Sequence, residues 1–281
     1  MFSICIGSDY IKTMKIISFY YHAPIAEGVE KIIVFYQKRG YRFISVEELL
    51  EIMKAGQSVN ERLAFLSLDD GWKQNFELLP IIEKYQVPIC IFVSTQPVVE
   101  GNFWWEYVGK VRDKDGVNEF KLLPYEEFYC QLAEMKKTLT LPRSAMTIDD
   151  VKKISKHPLV SIQAHTVNHP ILTSVPDDVL EKELRDSKRI LEDWTGKKII
   201  AFSYPNGRNT IRESEMARKY FDIAFTTIQQ HISIEDDIML LPRYSLTGQW
   251  PRDLLKVKGI WWRLKQIVQI IGIKRAKNIY G

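Results

Sequence analysis

The stretch Leu63-Ala64-Phe65-Leu66-Ser67-Leu68-Asp69-Asp70-Gly71-Trp72 constrains this chain more than any other. Its apolar run is that of a strand buried on both faces, as in a parallel sheet covered by helices. The run stops on two adjacent carboxylates and a glycine. That places both acids at the C-terminal edge of the sheet, where α/β enzymes keep their chemistry. Neighbouring strand residues point to opposite faces, but a backbone that turns at the strand end lets both carboxylates converge on one site. Two close carboxylates push their pKa values apart unless a cation lies between or beside them. A plain Asp-Gly turn followed by a helix cap is the simpler reading of the same residues, and both stay open at this point.

The rest of the chain alternates strand and helix. Met14–His22 is expected to be the first strand, Glu30–Arg39 a helix closed by Gly40, and Tyr41–Ile44 a short strand. Ser45 with Glu48 makes a capping box for the next helix. After the Asp-Asp stretch come a helix over 73–85, a strand Val87–Val93, a helix start at Thr147-Ile148-Asp149-Asp150 and a strand Leu159–Ala164. Residues 177–194 carry the clearest amphipathic pattern, followed by strands Ile199–Tyr204, Asp222–Thr227 and Met239–Pro242, with a helix near 211–219. With no repeat and no linker before about residue 250, the pattern predicts one α/β domain over 14–250, a (β/α) barrel of about seven parallel strands. Residues 96–145, with Phe103-Trp104-Trp105-Glu106-Tyr107, are expected to fold as an insertion over the barrel mouth.

Composition sets outer limits. A chain of 281 residues, 46% hydrophobic and 26% charged, has the make-up of a globular protein with a real core. Cys5, Cys90 and Cys130 lack metal spacing and suggest reduced thiols and a cytoplasmic setting. There is no apolar run of about eighteen residues to span a membrane and no secretory signal pattern. Residues 1–13 show no periodicity, Met14 would make a natural start, and the segment is expected to be an extended reading frame or a disordered tail.

A second feature narrows the chemistry. His165 and His169 follow a strand directly and lie four apart. Two imidazoles at that spacing can reach one metal ion, and a carboxylate from a neighbouring strand end supplies a third ligand while leaving positions open for catalysis. Two unrelated loop histidines are the alternative. His157 and His231 have no strand-end context and are expected to face solvent.

Ser67-Leu68-Asp69-Asp70-Gly71, His165-Thr166-Val167-Asn168-His169 and Phe202-Ser203-Tyr204-Pro205-Asn206-Gly207 together resemble the polysaccharide deacetylases, carbohydrate esterase family 4. The resemblance runs from about Ile16 to about Leu246 and takes in Tyr21-His22 and Thr226-Thr227. It implies a distorted (β/α) barrel that removes acetyl groups from sugars with one divalent metal ion, zinc being the expected one. It makes Asp70, His165 and His169 the metal ligands and Asp69 the general base, and it gives the backbone N–H of Asn206 to the oxyanion. Tyr204 and Pro205 belong to the same turn and are expected to line the substrate site.

Two departures stand out. Many members of that family carry arginine where this chain has Ser203, and a late Leu-x-His histidine as general acid. Here the late segment reads Leu240-Leu241-Pro242-Arg243-Tyr244. Arg243 is expected either to orient Asp69 or to cap a surface. His22, at the end of the first strand, is the candidate general acid because imidazole titrates in the useful range; hydrogen bonding to loop backbone is its alternative role. Trp104 and Trp105 can stack on sugar rings or form the insertion's own core with Tyr107.

The function expected is metal-dependent removal of an N-acetyl group from a sugar in a glycan, glycolipid or polysaccharide precursor. A non-catalytic metal- or glycan-binding homologue and a hydrolase of a non-sugar amide remain as alternatives. The expected partner is thus an N-acetylated glycan or lipid-linked sugar, with no nucleic acid. Residues 251–281 hold eight Lys and Arg against one Asp, while the preceding 250 hold 31 basic and 34 acidic residues. Val257, Ile260, Trp261, Leu264, Ile267, Val268 and Ile271 recur at helical spacing within this basic tail. It is expected either to lie on an anionic membrane surface, on the cytoplasmic face, or to pack on protein.

Overall fold

The structure is a computed structural model and describes residues 15–57 and 60–258. Its elements in chain order are β1 (Lys15–Tyr21), α1 (Ala26–Gln37), β2 (Tyr41–Ile44), α2 (Val46–Ala55), β3 (Arg62–Leu68), α3 (Leu79–Tyr85) and β4 (Ile89–Val93). Four helices follow without a strand: α4 (Thr95–Glu100), α5 (Trp104–Val111), α6 (Lys114–Phe120) and α7 (Tyr125–Thr138). Then come α8 (Ile148–Ile154), β5 (Val160–Ala164), α9 (Asp177–Thr195), β6 (Ala201–Ser203), α10 (Ile211–Arg218) and β7 (Ile223–Phe225). β8 (Ile232–Ser233), β9 (Tyr244–Ser245) and α11 (Arg252–Val257) close the described chain.

The strands form a distorted (β/α) barrel. Parallel neighbours run β1–β3–β4–β5–β6–β7. The segment from Leu241 to Ser245 closes the ring: Leu241 bridges Phe225 of β7, and β9 then pairs in parallel with Phe19 and Tyr20 of β1. The last strand is therefore Tyr244–Ser245 and not Met239–Pro242. Pro242 lacks the N–H that a continuous ladder there would need. β2 lies along the first half of β3, on the edge that β4 takes further on. β8 runs antiparallel on β1, a pairing that the alternating pattern did not predict.

Side-chain parity decides what faces inward. Leu63 and Phe65 of β3, Cys90 and Phe92 of β4, Ala201 of β6 and Phe225 of β7 pack together inside the barrel. Leu66, Leu68, Ile91, Ile162 and Phe202, on the other parity, join the larger core under the helices. Phe65 stacks on Phe225 at 5.1 Å, plugging the barrel below its C-terminal rim. Burying these apolar faces, at about 25 cal/mol per Å², dominates the fold's stability.

Local signals behaved as physics requires. Ser45 accepts from the Glu48 N–H at 3.2 Å, and Thr147 and Asp150 cap α8 reciprocally. The expected helix over 73–85 divides into a tight turn, Lys73–Leu78, and α3, because Pro80 suits a helix start and not an interior. The insertion helices have their own core of Trp104, Tyr107, Val108, Phe120, Phe128 and Leu132. At the C-terminal side, Val257 packs into the main core, and the buried Asp253 accepts from the N–H groups of Thr247 and Gly248. Residues 1–13 and the remainder of the basic stripe, from Ile260 on, lie outside the described residues.

Candidate active site

The C-terminal ends of β1, β3, β5 and β6 converge on one rim. β3 delivers Asp69 and Asp70, which are 2% and 1% exposed. Asp69 shares the inward parity of Phe65 and Ser67. Asp70 should point outward, but its φ of 78° turns the backbone so that its carboxylate also faces the rim. Among the described residues, the non-glycine residues with positive φ are Asp70, Gln86, Thr166, His169 and Asn206. Four of these five are at the site, and such conformations persist where surrounding structure enforces them for function.

Asp70 Oδ1 lies 3.4 Å from His165 Nε2 and 3.4 Å from His169 Nε2. That oxygen is buried and accepts no hydrogen bond. A buried carboxylate oxygen left bare between two imidazole nitrogens fits a cation. Ligands about 2.1 Å from a tetrahedral ion stand about 3.4 Å apart, so the spacing suits one metal. The surrounding bonds prepare the three ligands. His165 Nδ1–H donates to the Ser203 carbonyl at 2.7 Å, which leaves the Nε2 lone pair facing Asp70. Asp70 Oδ2 accepts from Trp72 Nε1 at 2.8 Å. Burial, and then the neighbouring His165, push His169 down to about 3, which keeps its imidazole neutral and able to ligate. Burial alone would raise the Asp70 carboxyl, but His22 and the two ligand histidines hold it below the usual range.

Asp69 has a different partner. Arg243, fully buried, donates Nη1 to Asp69 Oδ1 at 2.8 Å and Nη2 to Oδ2 at 2.9 Å. The same guanidinium reaches Ser67 Oγ at 2.9 Å, Ser203 Oγ at 2.6 Å and the Thr226 carbonyl at 3.2 Å. It lies over the rings of Tyr20, Phe92 and Phe225, at 4.4, 5.3 and 5.6 Å. Arg243 therefore orients Asp69 and caps no surface. Burial raises the Asp69 carboxyl, but Arg243 and His165 outweigh it and leave Asp69 below the ordinary value, hence ionised.

The loop of the two histidines is held from outside. Glu183 on α9 accepts from the N–H groups of Val167 and Asn168 and from the Asn168 side chain, at 2.6–2.9 Å. Most charges of α9 lie on its open face, yet Glu183 is buried beside Leu180 and Leu184. Its place on the apolar stripe was the signal: a charge there needs a partner.

A cleft of about 470 Å³ opens above the ligands, with His22, Asp70, Trp72, Trp105, His169 and Asn206 on its wall. His22 is exposed at its edge, and its backbone carbonyl, not its ring, accepts from Asn75. Trp105 stacks on Phe103 at 4.8 Å and meets the His169 ring edge-on at 4.7 Å. Trp104 does not line the cleft. It is buried in the insertion core, and its Nε1 donates to the His169 carbonyl at 3.0 Å, tying the insertion to the ligand loop. Tyr204 and Pro205 are buried as well. Tyr204 shares the outward parity of Phe202 and packs under the helices, and neither residue is among those lining the cleft. Lys114 and Lys121 of the insertion, which the sequence did not single out, line the cleft instead. His157 and His231 lie elsewhere, half-buried against Glu83 and Tyr244 and not free in solvent.

The sequence and the fold have counterparts. The family model for polysaccharide deacetylases matches residues 56–220. The Bacillus subtilis (strain 168) protein YxkH, which carries a polysaccharide deacetylase name, is 19% identical over 181 residues, 64% of this chain and 50% of its own length. The chain thus spans about half the length of that curated relative. The Streptococcus pyogenes deacetylase PplD, solved with acetate, is 20% identical with a TM-score of 0.66, over 87% of this chain and 98% of that one. IcaB from Ammonifex degensii is 17% identical with a TM-score of 0.62, over 88% and 97%. These solved structures share the fold.

Proposed function

The chain belongs to the polysaccharide deacetylase family, and from that premise we propose that it removes an N-acetyl group from a sugar with the help of one divalent metal ion, zinc in our reading. The observation that carries this is the bare, buried Asp70 Oδ1 between His165 Nε2 and His169 Nε2, with Asp69 pinned beside it. Asp70, His165 and His169 would hold the ion. When bound, a divalent ion lowers the pKa of a water towards 7 and polarises the acetyl carbonyl.

The chain's own groups supply the rest. Asp69 is ionised and aimed by Arg243; its Oδ2 accepts from both Arg243 and Ser203, while Oδ1, bonded to Arg243 alone, keeps a lone pair with which to accept the proton of the attacking water. Asn206 lies in the turn after β6, at the cleft wall, where its backbone N–H can donate to the developing oxyanion. His22 stands at the same wall and would return a proton to the leaving amine. Trp105 offers a half-buried aromatic face for a sugar ring.

The test is acetate release from a panel of N-acetylated oligosaccharides and lipid-linked sugars, before and after chelation and after metal is restored. We expect release that chelator abolishes and metal recovers. Release that is indifferent to chelator, or none from any substrate, would refute the reading. His22→Gln is expected to lower kcat about a hundredfold with metal content unchanged; a loss under about threefold would leave His22 no part in proton transfer.

A further inference from the structure

The cleft is lopsided in charge. Asp70 is the sole carboxylate on its wall, and the metal reading uses it already. Lys114 and Lys121 line the insertion side, and Arg208, on the turn after β6, stands close enough to Lys121 to repel it. Among the described residues, none of these three cations has a carboxylate within ion-pair distance, whereas Arg42 pairs with Glu48 and Glu61, and Arg218 with Asp237. Lys121 is half-buried, and its ammonium donates to the Asn206 side-chain oxygen at 3.0 Å. An ammonium has three donors, and a neutral amide compensates poorly for the water it has lost. Burial and Arg208 accordingly lower the pKa of Lys121. The bond to Asn206 ties this cation to the turn assigned to the oxyanion, so it sits within reach of whatever sugar occupies the cleft.

We propose that the substrate carries an anionic group, a phosphate or a carboxylate, beside the acetylated sugar, and that Lys121 with Lys114 binds it on the insertion side of the cleft. This assignment rests on the deacetylase reading above and names the class of sugar that the site takes. Paired lysines act here as compact cations with several donors, which accept either anion. Arg208 adds to the local field. The residues whose presence a neutral glycan would not require are these three cations, and the aromatic wall of Trp72 and Trp105 serves either kind of sugar.

The test is a titration that needs no turnover. Trp72 and Trp105 line the same cleft, so their fluorescence reports its occupancy. The zinc-loaded full chain is titrated at low salt with N-acetylglucosamine, with N-acetylglucosamine 1-phosphate and with a disaccharide of glucuronate and N-acetylglucosamine. At least one charged sugar should bind about tenfold tighter than the neutral one, as expected of charge-assisted hydrogen bonds in a partly desolvated site. The advantage should shrink in high salt. Whichever charged sugar shows it distinguishes phosphate from carboxylate. Lys121→Gln should remove most of the preference, Lys114→Gln part of it, and Lys121→Arg should retain it, with a melting curve for each variant to confirm folding. Equal binding of charged and neutral sugars, no quenching by any sugar, or a preference untouched in the Lys114→Gln/Lys121→Gln protein overturns the proposal. Acetate release from neutral chitotetraose separates the two readings. Release without charge preference overturns the anion site alone. Charge preference with no release from any sugar supports the anion site and counts against deacetylation.

Discussion

Asp69→Asn is expected to lower kcat about a thousandfold, the scale of a lost general base, while the protein keeps its metal. Asp70→Asn, one residue on, is expected to lose the metal outright. The two carboxylates are adjacent in sequence and both buried, yet their surroundings assign them opposite work. Asp70 presents a bare oxygen to two imidazole nitrogens. Asp69 has both oxygens engaged by one guanidinium. An ion at the histidines gains little from Asp69, whose charge Arg243 already neutralises. Metal content of the purified variants and acetate release from the same samples decide the matter. If Asp69→Asn protein loses metal as Asp70→Asn does, the roles are exchanged. Because the substitution deprives Arg243 of its counter-ion, a melting curve must accompany the assay, and His165→Ala and His169→Ala should reproduce the metal loss.

How far the sequence disclosed this depends on parity. Along β3, the alternation that puts Phe65 inside the barrel also puts Asp69 there, and on β5 the same rule carries His165 inward with Gln163. The rule applied to β6 sends Ser203 inward and Tyr204 outward beside Phe202. Tyr204 was therefore legible as a core residue, and the appeal of its motif hid that. Asp70 obeys no parity: only its positive φ, which the following glycine favours without specifying, brings it to the rim. Arg243 was ambiguous for another reason. Its distance from Asp69 in sequence is 174 residues, and only closure of the ring through Leu241–Ser245 brings the two together. Lys121 left no signal of its own, since a lysine in a helical insertion resembles any surface lysine until the insertion is folded onto the cleft.

The Arg243 pairing yields the largest expected effect on stability. Arg243→Met leaves the Asp69 carboxylate buried and unpaired, and breaking one partner of a buried pair costs about 3–5 kcal/mol. For a chain of this size that corresponds to a fall of roughly 10 °C in Tm. The interaction explains a departure from the family pattern that the sequence alone left unresolved. Ser203 stands where an arginine is often found, and its hydroxyl accepts from the Arg243 Nη2 that also holds Asp69. The guanidinium thus comes from the closing segment before β9 and not from β6, and aims the carboxylate from the β1 side of β3. Arg243→Lys should rescue little, because one ammonium cannot make the paired bonds to both oxygens. Asp69→Asn/Arg243→Met, with both charges gone, should melt well above Arg243→Met alone. The pH dependence has a definite sign. Arg243 holds Asp69 below its unfolded value of about 4, so the stabilisation is complete above that value and is lost as pH falls through the folded pKa. The gap in Tm between wild type and Arg243→Met should therefore be widest near neutrality and narrow in acid. A gap of under about 2 °C at pH 7, or one that widens in acid, would mean that the aromatic rings around Arg243, and not its charge pairing with Asp69, are what the fold requires.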